Sequence, residues 1–202
     1  MHCFKEICPP LLKSARKIGC IITAIIPARG GSKRLPRKNI FPIWGKPMLS
    51  WSIKSAQQSK YISDVWVTTE DEEIKNVAKQ YGANVHDRDP FLSGDNIYKM
   101  EAIRACFSAI DSGHDIVISL QANSPEITPK LLDDAIEIFI REERNELMSV
   151  GPNMMQNAAF RIMRSWYVFQ KDLSTKSGVY VCDIHDVHNL EDVKFIESRT
   201  KR

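Results

Sequence analysis

Short β-branched runs alternate along this chain with helical segments of ten to fifteen residues, and few folds accommodate such an alternation. Residues 21–26 (IITAII) read as a buried strand, and 65–69, 84–86, 116–120, 147–150, 158–163 and 179–182 read as further strands. A helix opens behind Pro47, a second covers 71–81 and stops at Gly82, and a third covers 97–110. Thr128-Pro129 supplies an N-cap and a first helical residue for a helix reaching about 143, and 190–198 forms a last one. The pattern predicts a three-layer α/β/α domain with a mixed, mostly parallel sheet. Ligands of such sheets sit at the carboxyl ends of the strands.

Composition narrows the class further. With 202 residues, 43% hydrophobic and 26% charged, the chain suits one domain with a proper core and is not a disordered polypeptide. No stretch approaches the ~20 apolar residues of a membrane span, so a membrane is not an expected partner. Five cysteines, odd in number and without a CxxC pair, exclude a disulfide framework or a zinc ribbon. They suit a reducing, cytoplasmic location. Residues 1–20 carry three of those cysteines and a Pro9-Pro10 break. They read as an N-terminal extension, mobile or artefactual, ahead of a single domain over 21–202.

Charge is distributed unevenly. Residues 1–60 hold twelve Lys or Arg against a single acid, Glu6, whereas 61–202 hold sixteen bases and twenty-four acids. The basic end is an anion-attracting surface. An 8% aromatic content is too thin for an RNA-stacking platform, so nucleic acid is not the expected partner.

The basic residues concentrate in IIPARGGSKRLPRKNI, residues 25–40, directly behind the first strand. Gly30-Gly31 permits positive φ and close approach, which would turn backbone amides toward an anion. Arg29, Lys33 and Lys38 can make charge-assisted contacts with phosphate oxygens, and Pro36 stiffens the loop. Neither GxxxxGK[ST] nor GxGxxG is present, so this is not an ordinary ATPase or dinucleotide loop. A solvated basic loop is the plain alternative, and the double glycine at a strand end argues against it. Elsewhere the readings are structural. His86 and His114 are local hydrogen-bonding residues, Cys106 and Cys182 small core residues, and the four tryptophans core or interface anchors.

The loop resembles the signature of the acylneuraminate cytidylyltransferases (CMP-sialic acid synthetases), which activate nine-carbon acidic sugars with CTP. The related 3-deoxy-manno-octulosonate enzymes have tyrosine and threonine where this chain has Gly30 and Lys33. The resemblance continues through residues 45–85 and through RDPFLSGD (88–95). LQANSP (120–125) is similar to LQPTSP, NAAFRI (157–162) to NGAIYI, and DVHNLEDV (186–193) to DIDTxxDL.

The resemblance implies a Rossmann-like nucleotidyltransferase fold and transfer of CMP from CTP to a sialic-acid-like sugar. By it, Ala28, Arg29, Gly30, Gly31, Ser32, Lys33, Lys38, Asn39 and Arg88 hold the nucleotide, with Arg29 and Lys38 catalytic. Gln121, Asn123 and Ser124 meet the sugar. Asp186 and His188 fall on the pair of aspartates that hold Mg2+, and Asp183 is the alternative because Asp183 and His185 repeat the pattern three residues earlier. This chain departs from the family at His188, which replaces a carboxylate, and at Ala122 and Asn123. Only residues 151–156 stand where the family has a several-dozen-residue excursion carrying its dimer contact, which implies a monomer or a non-standard homodimer. A nucleotidyltransferase for another sugar or sugar-1-phosphate, or a degenerate homologue that binds nucleotide without turnover, are the alternatives.

Overall fold

The run ITAIIP forms β1 (Ile22–Pro27), buried along its length except at half-buried Pro27, as a strand covered on both faces must be. The computed structural model describes residues 20–110, 113–172 and 174–199, so the expected N-terminal extension lies outside the described residues except for Cys20. After β1 come β2 (Pro42–Ile43), β3 (Lys46–Pro47), α1 (Met48–Gln57), β4 (Asp64–Thr69), α2 (Glu72–Gln80) and β5 (Asn84–Asp87). They are followed by α3 (Lys99–Ile110), β6 (Ile116–Leu120), α4 (Pro129–Arg141), β7 (Glu146–Val150), β8 (Gln156–Arg164), β9 (Ser177–Val181) and α5 (Leu190–Arg199).

Seven strands form one sheet in the order β5-β4-β1-β6-β8-β7-β9. Within it β8 alone runs against its neighbours, and the other pairings are parallel. The chain order reverses between β1 and β6: β4 and β5 lie on one side, and the later strands on the other. A reversal of this kind opens a crevice beyond the carboxyl ends of the two strands.

Alternation along β1 sends Ile22, Ala24 and Ile26 to one face, where they pack with Leu49 and Ile53 of α1, Ile74 of α2 and Phe139 of α4. Ile25 points the other way, into a second cluster with Ile103 and Phe107 of α3 and with Tyr167 and Val168. Helices therefore cover both faces, giving the expected three layers. The expected caps also form. Thr128 accepts from the Leu131 amide at 3.2 Å with Pro129 at the first helical position, and Gly82 takes φ +76° just past α2.

The expected loop over 27–45 is more structured than its composition predicts. It contains a 3-10 turn, Lys38–Ile40, and the start of a two-stranded hairpin in which Trp44 and Gly45 both have positive φ, as a two-residue hairpin loop requires. Trp-Gly is a weak sequence signal for such a turn. Trp166 is not a core residue, since it lies on a 3-10 turn and is 51% exposed. Cys106 and Cys182 are buried free thiols. His114 and His86 bond locally, to Asp64 and Thr68 respectively, both at 2.9 Å. Among the described residues no helix is long and apolar enough to cross a membrane.

Candidate active site

A cavity of about 480 Å³ lies at the carboxyl ends of β1, β5 and β6, where the chain order reverses. The loop behind β1 contributes Arg29, Ser32, Lys33, Arg34, Lys38 and Asn39 to its wall. Arg88, residues 92–95 and Ile97 form the opposite side, Lys99 stands at the start of α3, and Gln121, Asn123 and His188 contribute to the rest of the wall. Six cationic side chains face a single carboxylate, Asp95, among the described lining residues. In a concave wall of low dielectric, that imbalance concentrates anions.

The basic loop is held by its own residues. The Ala28 amide continues the ladder to the Thr68 carbonyl at 3.0 Å, and buried Asn39 donates its side-chain amide to the Arg29 carbonyl at 2.9 Å. Arg37, at φ +57°, makes a bidentate pair with Asp71 at 2.6 and 2.9 Å and also reaches Glu73. Leu35 drops into a small core with Ile43, Met48 and Val187.

The two glycines serve differently from the sequence expectation. The positive-φ glycines of the described residues are Gly45, Gly82 and Gly113, so neither Gly30 nor Gly31 is there for left-handed backbone. A Cβ on Gly30 would lie 2.3 Å from Asp71 Oδ2, and its amide donates to Glu70 Oε1 at 2.9 Å. That amide thus points into the protein rather than toward a bound anion. Gly31 is exposed with open space around it, which leaves room for close approach.

Arg29 Nη1 donates to the Ser93 carbonyl at 3.2 Å and pairs with Asp95 Oδ1 at 2.9 Å. Lys33 pairs with the other oxygen of Asp95. Burial pushes the Lys38 ammonium below its ordinary range, helped by repulsion from Arg34 and Arg29 and opposed by Asp186. Desolvation in the cavity likewise lowers Lys99, with Asp186 pulling the other way. Arg88 is only 4% exposed, pairs with Glu70 through Nη2 at 2.6 Å, and keeps a buried Nε with no partner among the described residues.

Of the expected sugar and metal residues, Gln121, Asn123 and His188 line the far wall, whereas Asp186 and Ser124 are not among the described lining residues. Gln121 and Asn123 reach the cavity, whereas Ser124 and Ala28 are fully buried behind it. The Asn123 side-chain amide donates to the Val187 carbonyl at 3.0 Å, which fastens residues 186–188 beside the cavity. Asp186 accepts from the Ser124 hydroxyl, and burial raises its carboxyl while Ser124, Lys99 and Lys38 pull it down. His188 Nδ1 lies 3.2 Å from Arg34 Nη2. Asp183, the alternative ligand, is 73% exposed, pairs with Arg199 at 3.2 Å and is not part of the cavity wall. Sequence reasoning missed Glu70, Asp95, Arg34 and Lys99. Asp95 closes the quoted RDPFLSGD segment and was within reach, but nothing in a helical first turn marks Lys99 as a cavity residue.

A mixed, mostly parallel sheet with a cation-walled cavity at its switch point defines an α/β fold of the nucleotidyltransferase kind. The chain belongs to the cytidylyltransferase family, whose family model matches residues 23–195. It is 40% identical over 129 residues to N-acylneuraminate cytidylyltransferase A of Danio rerio, a match that covers 64% of this chain and 30% of that protein. It is 34% identical over 163 residues to a pseudaminic acid cytidylyltransferase of Campylobacter jejuni, covering 79% of this chain and 66% of that one. The chain thus spans about a third of the length of the fish enzyme and two thirds of the bacterial one. The solved structure of CMP:2-keto-3-deoxy-manno-octonic acid synthetase complexed with CTP superposes with a TM-score of 0.73 at 15% identity, over 88% of this chain and 97% of that one. At that identity the likeness speaks for the fold.

Proposed function

We propose that this protein transfers CMP from CTP to a sialic-acid-like, nonulosonic 2-keto sugar acid, with release of pyrophosphate. The cavity wall, six cations against one carboxylate at the sheet's switch point, is the observation that carries this reading. Two anionic substrates must be brought together, and positioning with electrostatics does most of the catalysis in phosphoryl transfer. Arg29, Lys33 and Lys38 face the triphosphate, and Arg88 backs it from the opposite wall. Gln121 and Asn123 meet the acylated sugar. The anomeric hydroxyl oxygen forms a bond to the α-phosphorus, the bond from that phosphorus to the oxygen bridging to the β-phosphate breaks with pyrophosphate leaving, and the hydroxyl proton passes to water. Arg29 and Lys38 counter the charge that builds on the departing pyrophosphate.

Magnesium suits this donor set in a limited way. No group of three His, Cys, Asp or Glu among the described residues gathers to hold a metal, so phosphate oxygens and water would fill most of its shell. Asp186 is the carboxylate that would hold the ion, which when bound supplies further charge neutralisation at the phosphates. His188, an imidazole beside Arg34, is a poor ligand for magnesium. That contact favours a second reading, nucleotide binding without turnover. The β7–β8 connection is a tight turn, with the Gly151 amide donating to the Met155 carbonyl at 2.8 Å. It supports a monomer, or a homodimer built through another face. The free thiols of Cys106 and Cys182 are compatible with a cytoplasmic enzyme.

Pyrophosphate release from CTP, ATP, GTP and UTP, measured against a panel of nonulosonic acids with and without magnesium, tests the proposal. Release that requires CTP, a sugar acid and magnesium together is expected. CTP binding without release across the panel supports the second reading, and absence of CTP binding overturns both.

A further inference from the structure

We propose that Glu70 is a positioning residue of the nucleotide site, whose carboxylate fixes Arg88, the Gly30 amide and the Ser93 turn so that two guanidinium groups face one phosphate chain. The inference rests on the nucleotide-binding reading above and deepens it. Glu70 is the first residue beyond the carboxyl end of β4. Its Oε1 accepts from the Gly30 amide at 2.9 Å, and its Oε2 accepts from Arg88 Nη2 and from the Ser93 hydroxyl, each at 2.6 Å. The Ser93 carbonyl in turn accepts from Arg29 Nη1 at 3.2 Å. Segments that follow three different strands thus meet at one side chain, and both Arg29 and Arg88 are tied to it.

A carboxylate suits this place because its three neighbours all donate. An ionised carboxylate accepts only, whereas a glutamine would set an N–H against at least one of those donors. Burial pushes the Glu70 carboxyl up, but the hydrogen bonds from Ser93, Arg88 and Gly30 together outweigh it and hold it below the usual carboxylate range. It is therefore ionised at neutral pH, as the counter-charge to an almost fully buried arginine. Arg88 gives Glu70 only Nη2, and its Nε is buried without a partner among the described residues. A buried N–H of that kind in a cavity wall awaits an acceptor. Glu70 sets the direction in which it is offered.

The test is calorimetric binding of inorganic tripolyphosphate and of CTP to the wild type, Glu70→Gln and Glu70→Asp, with thermal unfolding of each. Glu70→Gln is expected to weaken both anions about tenfold, the size of one lost charge-assisted contact, while its unfolding temperature stays within a few degrees. Glu70→Asp, which keeps the charge, is expected to recover part of the loss, and a role in stability alone would show no such recovery in affinity. Should Glu70→Gln fail to fold, Ser93→Ala removes one of the three donors from a half-buried turn and is expected to weaken both anions a few-fold. A folded Glu70→Gln, or in its place Ser93→Ala, with wild-type affinity for both anions overturns the inference alone. A wild type that binds neither anion overturns the nucleotide reading with it. Wild-type binding without pyrophosphate release fails the transferase reading and leaves Glu70 to be decided by its variants.

Discussion

Asp95 Oδ1 lies 2.9 Å from Arg29 Nη1, and the same carboxylate holds the Lys33 ammonium across the mouth of the cavity. Asp95 is 45% exposed and Lys33 80%, so solvent screening leaves these pairs weak. An internal anion that competes weakly for the two cations must give way when phosphate binds. Asp95→Asn is therefore expected to tighten tripolyphosphate binding by about two- to fivefold in calorimetry. Weaker binding in that variant would instead make Asp95 part of the ligand's own contact set.

Arg29 carries the opposite expectation. Charge-assisted hydrogen bonds contribute about 1.5–3 kcal/mol, so Arg29→Ala should weaken CTP about 10- to 100-fold and lower kcat/KM with it. Its guanidinium is partly exposed, and the unfolding midpoint should barely move. Kinetics indistinguishable from wild type would remove Arg29 from the site.

Ala158 adopts φ +56°, a left-handed conformation that costs an L-residue about 1–2 kcal/mol, at the position where the similar NGAIYI motif has glycine. It lies in β8 beside Asn157, whose amide donates to the Cys182 carbonyl at 2.9 Å, and opposite a register shift in β7. Ala158→Gly should raise stability by a few tenths to about 1 kcal/mol after the entropy lost by glycine is subtracted. Ala158→Val should lower it by more. Urea midpoints that fall for glycine would show that the strain is relieved elsewhere.

Burial, reinforced by the Arg88 charge and opposed by Asp87, holds His86 below the ordinary histidine range. The unfolded chain then binds a proton near pH 6.5 that the folded chain refuses, so stability is full above that pH and falls as pH drops toward the folded value. Wild type should lose more stability than His86→Gln between pH 8 and pH 5.5 in urea unfolding. Equal losses would count against a neutral, half-buried His86.

These residues also show what a sequence can reveal. Helix boundaries such as Thr128-Pro129 and Gly82, and the burial of 22–26, follow from local rules that act within a turn or a strand, and they appear where expected. The cations behind β1 were legible for the same reason, because they crowd one short loop. Glu70 and Lys99 were not, since their meaning comes from strand order. β4 pairs with β1 and β5 lies just beyond β4, while Lys99 at the start of α3 reaches the cavity, so residues between 70 and 99 come to face those of 29 to 39. The constraint on Gly30 is out of reach of local rules for a related reason. Its constraint is the Asp71 carboxylate forty-one residues on, not its own φ.

The most direct measurement is a crystal structure of the protein with CTP. The account predicts the triphosphate in the cavity between the loop behind β1 and Arg88, within hydrogen-bond distance of Arg29 and Lys38, with Asp95 turned away from Arg29. CTP bound elsewhere, with Arg29 still closed on Asp95, would contradict it.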